Sequence, residues 1–129
     1  MQIGKLDHVN VRTPNVAAMT AWYEAVLGMR SGKRPPFPFP GAWLYTGDHA
    51  AVHLVGVEAR PENRDPQVEH FAFQASGLKD FLERLQVRKI AHEVRKVPGF
   101  GIVQVNVWDP DGNHIHIDFS PEEGVAAGL

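Results

Sequence analysis

Apolar and polar residues alternate along residues 6–13, LDHVNVRT, with Val9 and Val11 on one side and His8, Asn10 and Arg12 on the other. This pattern predicts a strand with one buried face. Thr13-Pro14-Asn15 ends the strand and offers a helix start. VAAMTAWYEAVLGM follows, with Ala18, Trp22, Ala25, Val26 and Met29 at helical spacing and Gly28 as the helix end. SGKRPPFPFPG (31–41) holds four prolines and reads as a connection, because proline removes ladder donors. GAWLYTG predicts a strand, Gly47-Asp48 a turn, and AAVHLVGV (50–57) another strand. VEARPENRDPQ (57–67) is polar and predicts a long surface loop or linker.

The same order then recurs. VEHFAFQA (68–75) alternates as a strand. SGLKDFLERLQVRKI predicts an amphipathic helix with Leu78, Phe81, Leu82 and Leu85 on its apolar stripe. HEVRKV (92–97) is a strand, Pro98-Gly99-Phe100-Gly101 a loop, IVQVNVW (102–108) a strand, DPDGN a turn and HIHIDF the last strand. The tail SPEEGVAAGL is expected to fray. The expected organisation is one domain over 1–129, with module one at about 1–57, a linker at 58–67 and module two at about 68–120.

The two cycles also match residue by residue. LDHVNV lies over VEHFAF, which sets His8 over His70, a shift of 62 (70 − 8). AVHLV lies over HIHID, which sets His53 over His116, a shift of 63 (116 − 53). Side chains alternate across a strand. His53 therefore shares a face with Ala51 and Val55, His70 with Ala72 and Gln74, and His116 with His114 and Asp118. The opposite faces are apolar and suit packing on the helices, so the histidine faces are expected to line a wet cleft. Imidazole is the commonest protein ligand for transition metals. Four histidines at two pairs of repeat-related positions therefore point to a metal site, with His8, His53, His70 and His116 as ligands. His49, His92 and His114 lack that support. His49 in a turn and His92 at a helix end are expected to be solvated. His114 either orients a ligand or substrate or, the expected case, faces solvent.

Composition narrows the partners. The 129 residues are 43% hydrophobic and 22% charged with a net charge of −2, as in an ordinary globular protein. No basic stripe suggests nucleic acid, and no apolar run has membrane-spanning length. No signal peptide is expected, and a cytoplasmic location is. Cysteine is absent, which excludes disulfides and thiolate metal ligands.

LDHVNVRTPNVAAMTAWYEAVLGM, AVHLVG, VEHFAFQASGLKDFLERL and DPDGNHIHIDF together resemble the vicinal oxygen chelate superfamily, which includes glyoxalase I, the bleomycin and fosfomycin resistance proteins and the extradiol dioxygenases. The resemblance spans nearly the whole chain. It implies an α+β fold of two βαβββ modules forming a half-open eight-stranded barrel with helices outside, and a homodimer. It also implies one divalent transition metal per site (Fe, Zn, Ni, Co or Mn), held by the first and last strands of each module at His8, His53, His70 and His116. Most relatives carry glutamate at the position of His116, and glyoxalase I has glutamate or glutamine at that of His53. Glyoxalase I moves a proton with a metal-bound glutamate, so that activity is not expected here. Asp118, two residues from His116, is a candidate for supporting the site.

Asn10, Arg12, Gln74, Asn106 and Trp108 are candidate pocket walls by strand parity. Phe37, Phe39 and Trp43 of the proline-rich connection either close over an aromatic ligand or pack the connection, and Phe100 sits in a glycine-flanked loop. Arg12 either pairs with a substrate carboxylate or is a surface arginine. The leading expectation is a metal-dependent enzyme, dioxygenase-like, that chelates adjacent oxygens of a small aromatic or 1,2-dioxygenated substrate. The alternatives are a drug-resistance-like binding protein without turnover and a non-redox lyase or isomerase on the same scaffold.

Overall fold

Alternation and breaker residues set the elements in both halves of the chain. A computed structural model describes residues 1–62 and 66–129. Residues 63–65, within the expected linker, lie outside the described residues. The chain divides into two units, Met1–Asn63 and Arg64–Leu129. The first holds β1 (Val9–Thr13), α1 (Val16–Leu27), β2 (Arg30–Ser31), β3 (Gly41–Thr46) and β4 (His49–Gly56). The second holds β5 (His70–Gln74), α2 (Leu78–Val87), β6 (His92–Lys96), β7 (Val103–Trp108), β8 (His114–Phe119) and α3 (Pro121–Ala126).

Each unit forms one four-stranded mixed sheet, and the strand orders correspond: β1-β4-β3-β2 and β5-β8-β7-β6. The first strand of each unit pairs in parallel with the last, Asn10 opposite His53 and Ala72 opposite His116. The remaining pairs are antiparallel. The fold class is α+β. Ser31, expected in the proline-rich connection, instead belongs to the two-residue strand β2, which takes the sheet edge where few ladder bonds are needed.

The apolar strand faces make the cores. In the first unit Leu44, Val52 and Leu54 are buried with Met19, Tyr23, Val26 and Met29. In the second, Val103, Val105, Val107, Ile115, Ile117 and Phe119 are buried with Leu78, Phe81 and Leu85. Asn15 caps α1, its side chain accepting from the Ala18 N–H, and Gly28 closes it at φ 70°. Val26 and Met29 are buried as expected, but the rest of the α1 stripe differs: Met19 and Tyr23 are buried, whereas Ala18, Trp22 and Ala25 are half-buried. VAAMTAWYEAVL is apolar nearly all round, so spacing left two stripes open, and the sheet takes the one with Met19 and Tyr23.

Two further expectations are corrected. His49 opens β4 rather than sitting in the turn, and its Nε2 donates to the Asp7 carbonyl at 2.5 Å. The tail does not fray. Ser120 caps α3, Pro121 occupies its first turn, and Gly124 is buried where an added Cβ would stand 2.6 Å from Val103. The reason lies in α2, whose N-cap Gly77 has no side chain to offer. Glu123 of α3 supplies the acceptor, its Oε1 receiving the N–H groups of Gly77 at 2.6 Å and Leu78 at 3.1 Å.

Glu123→Ala is expected to destabilise the chain by about 1 kcal/mol, the scale of a lost helix cap. Urea denaturation checks this: the midpoint should fall at unchanged m-value, with a smaller loss in Glu123→Gln, which keeps an acceptor oxygen.

Candidate metal centre

The second unit gathers three histidines. His70 opens β5, and His114 and His116 lie on one face of the neighbouring β8. One nitrogen from each lies within 4.8 Å of the others. The His70 and His116 rings stack with centroids 3.9 Å apart at 15°, and His114 meets both edge-on. Glu69 binds two of the rings at once. Its Oε2 accepts from His70 Nδ1 at 2.5 Å and its Oε1 from His114 Nδ1 at 2.6 Å. His114 Nε2 lies 2.9 Å from Asn106 Oδ1, and the Asn106 amide donates to the Glu93 carbonyl. Trp108 stacks on His114 at 5.0 Å and 9°.

The first unit repeats this arrangement with fewer parts. His8, just before β1, stacks on His53 of β4 at 3.9 Å and 15°. Its Nδ1 donates to Asp7 at 2.6 Å. Trp43, opposite His53 in the ladder, stacks on the far side of that ring at 4.0 Å. The position matching Trp43 in the second unit is Asn106, opposite His116.

These rings differ in what they offer a metal. At His70 and His8 a carboxylate oxygen faces Nδ1, and Nε2 has no hydrogen-bond partner among the described residues. His116 Nδ1 faces the Gln104 amide at 3.3 Å, and turning that amide so its oxygen faces the ring leaves His116 Nε2 bare as well. Both nitrogens of His114 face acceptors, so this ring supports its neighbours and ligates only by giving up Asn106 or Glu69. Nitrogens sharing a tetrahedral ion at about 2.1 Å stand about 3.4 Å apart, within reach of this cluster by small ring rotations. One buried oxygen of Asp118, on the face of His116, has no hydrogen-bond partner among the described residues. Such an atom bears an uncompensated desolvation cost that a nearby cation relieves. The residues fit a metal: nitrogen donors held by hydrogen bonds, on the strand that also carries the half-buried Asp118 with its one unpaired oxygen.

The electrostatics keep the inner rings neutral. Burial lowers His116 below the usual histidine value of 6.5, and the neighbouring His70 and His114 lower it further. Burial likewise lowers His53, with His8 adding to the effect. Hydrogen bonds from His70 and then His114 push the Glu69 carboxyl down to about 2, and the bond from His8 lowers Asp7.

His114 corrects the expectation of a solvent-facing ring: its side chain is 17% exposed. Solvation cannot decide its position once β5 brings Glu69 to one edge and β7 brings Asn106 to the other. His92 is half-buried at the start of β6, its Nδ1 donating to the Ile90 carbonyl at 2.9 Å, rather than solvated at a helix end. Asn106 is 2% exposed, so it holds His114 instead of lining a wet pocket. The other pocket candidates fall in separate units. Asn10 and Arg12 are exposed on β1 and Gln74 on β5, and Phe100 stands 74% exposed in its loop. Phe37 and Phe39 stack at 5.1 Å with the Arg34 guanidinium 5.0 Å from each ring, and Phe37 lies 6.5 Å from Trp43. The sequence reading passed over Asp7 and Glu69. The signal was there: DH at 7–8 and EH at 69–70 occupy equivalent places in the repeat.

Two mixed sheets of one strand order, each with a histidine pair across its parallel junction, define a paired βαβββ protein of glyoxalase-like fold. The chain belongs to the Glyoxalase/Bleomycin resistance protein/Dioxygenase superfamily, whose model matches residues 5–117. Solved structures share the fold. One, described as a glyoxalase family protein, from Bacillus anthracis, is 22% identical, with 93% of this chain and 98% of that one covered and a TM-score of 0.78. Lactoylglutathione lyase from Agrobacterium tumefaciens is 17% identical over 96% and 99%, with a TM-score of 0.71. A genomically encoded fosfomycin resistance protein from Listeria monocytogenes is 13% identical over 95% and 98%, also with a TM-score of 0.71. No curated protein sequence matches the chain closely enough to count as a relative.

In the metal-free protein, His116 and His53 should titrate below 6.5 by NMR; midpoints at or above that value would contradict the burial argument. The unfolded chain then binds the His116 proton first as pH falls. The stability tied to His116 is therefore full above 6.5 and lost as pH drops through its lower folded value. For Glu69 the corresponding loss runs from the ordinary 4.5 down towards about 2.

Proposed function

We propose that this chain is a divalent-metal-dependent enzyme of its superfamily, acting in dioxygenase fashion on a small aromatic or 1,2-dioxygenated compound. The observation that carries the reading is the repeated histidine pair, His8 with His53 and His70 with His116, where an acid holds Nδ1 of the first ring and Nε2 is left bare. The proposed ligands are these four histidines, with His114 and Asp118 in support, and the two modules are proposed to act as one domain in a homodimer. A bound metal supplies a Lewis acid for adjacent substrate oxygens, and, if it is iron, redox chemistry with dioxygen. The residues themselves supply nitrogen donors and no carboxylate at the four ligand positions. That shell is one charge more positive than the two-histidine, one-carboxylate kind and favours anionic, chelating oxygens. A catechol-like ring suits the flat, partly exposed aromatic surfaces of Trp43 and Trp108.

A second reading has its own observation. The Phe37–Phe39 stack beneath Arg34, beside Trp43, offers an aromatic surface that a binding protein would use without turnover. A non-redox lyase or isomerase is the third, and metal identity separates it from the first.

Metal content of protein purified without chelators tests the proposal. Iron at about one per chain, with a spectrum changed by catechol, is expected. Zinc or nickel instead would favour the non-redox reading. No metal, and none taken up on titration, would leave the binding reading. His70→Ala and His116→Ala should each abolish uptake, and the same loss in His8→Ala and His53→Ala tests whether all four nitrogens serve it.

A further inference from the structure

Each unit begins its parallel junction with an acid followed by a histidine, Asp7-His8 and Glu69-His70, and in each the acid turns onto Nδ1 of the ring that follows. Neighbouring residues within a strand point to opposite faces. These pairs meet because both acids lie just outside the ladder: β1 starts at Val9 and β5 at His70. The contact therefore depends on where strand pairing starts, and it recurs although one acid is Asp and the other Glu. Glu69 does more than its counterpart, since its second oxygen holds His114, and His114 in turn holds Asn106. Asn106–His114–Glu69–His70 is thus one continuous chain of hydrogen bonds ending at a bare Nε2.

We infer that Asp7 and Glu69 are positioning residues that select the Nδ1–H tautomer of His8 and His70 and so aim each Nε2 at the metal. The inference rests on the metal-binding reading for its consequence, but not for its first step, which concerns the metal-free protein. Imidazole in water favours the proton on Nε2, the wrong end for this site. A carboxylate fixed at Nδ1 reverses that preference and sets the ring's rotation. The Glu69 side chain is 65% exposed, so its replacement should leave the fold intact.

The test uses long-range proton–nitrogen NMR on the metal-free chain, above the range in which its histidines titrate, together with cobalt(II) titration. In the wild type, Nδ1 of His70 and His8 should be protonated and Nε2 bare. Glu69→Gln should move the His70 proton to Nε2 and weaken cobalt binding about 10–100-fold, while the core-methyl NMR spectrum stays that of the folded chain. Asp7→Asn should do the same at His8. Glu69→Asp should restore the His70 tautomer, because Asp7 shows that the shorter acid reaches the following ring. An Nε2–H tautomer in the wild type, or one unmoved by Glu69→Gln, would overturn the inference whether or not cobalt binds. A tautomer that shifts as expected in a chain that binds no cobalt would uphold the orienting step and sink the metal reading instead.

Discussion

The parallel pairing of first and last strands is the constraint on which the rest of each unit depends. Residues at the start of β1 or β5 are distant in sequence from β4 or β8, and only this pairing makes them neighbours. Parallel strands need a crossover, and α1 or α2 with the two intervening strands supplies it. The helices cover the apolar sheet face, and the opposite face then keeps its histidines clear of the core. Stacking of His8 on His53 and of His70 on His116, at matching separation and angle, follows from one topology executed twice.

Bringing imidazoles together costs free energy if they are charged, and burial adds to that cost. Both effects push His116 and His53 toward the neutral form that a metal requires. The acids act at the outer edge of each pair. Asp7 and Glu69 accept hydrogen bonds from the Nδ1 side of the rings, which lowers the Asp7 carboxyl and brings that of Glu69 to about 2. The parts of the second unit are joined: Glu69 bridges His70 and His114, and His114 reaches Asn106 deeper in the sheet.

Much of this was legible in the residues. Strand alternation and the DPDGN turn read directly. The Asp109 carboxylate in that turn accepts from the N–H groups of Asp111 and Asn113 and from the Asn113 side chain, bonds that reach no further than four residues. The internal repeat picked out His8, His53, His70 and His116. Strand parity then placed Val103, Val105, Val107, Ile115, Ile117 and Phe119 in the core. Parity failed where a residue's fate depends on a neighbouring strand. Asn106 lies on the polar side of β7, yet it is buried because Glu93 and His114 satisfy its amide. His114 was expected to face solvent for the same reason: Glu69 is 45 residues away in sequence.

The sequence by itself determined the periodic features: which residues alternate, where turns break the chain, and that the histidines come in repeat-related pairs. Those depend on local geometry, a period of two in strands and about 3.6 in helices. Tertiary structure alone decided the non-local ones. It chose the buried stripe of α1, folded the tail into α3 so that Glu123 could cap α2, and turned Asp7 and Glu69 onto the histidines. In each case the deciding partner lies on another element or at the end of a ladder, and no period along the chain records it.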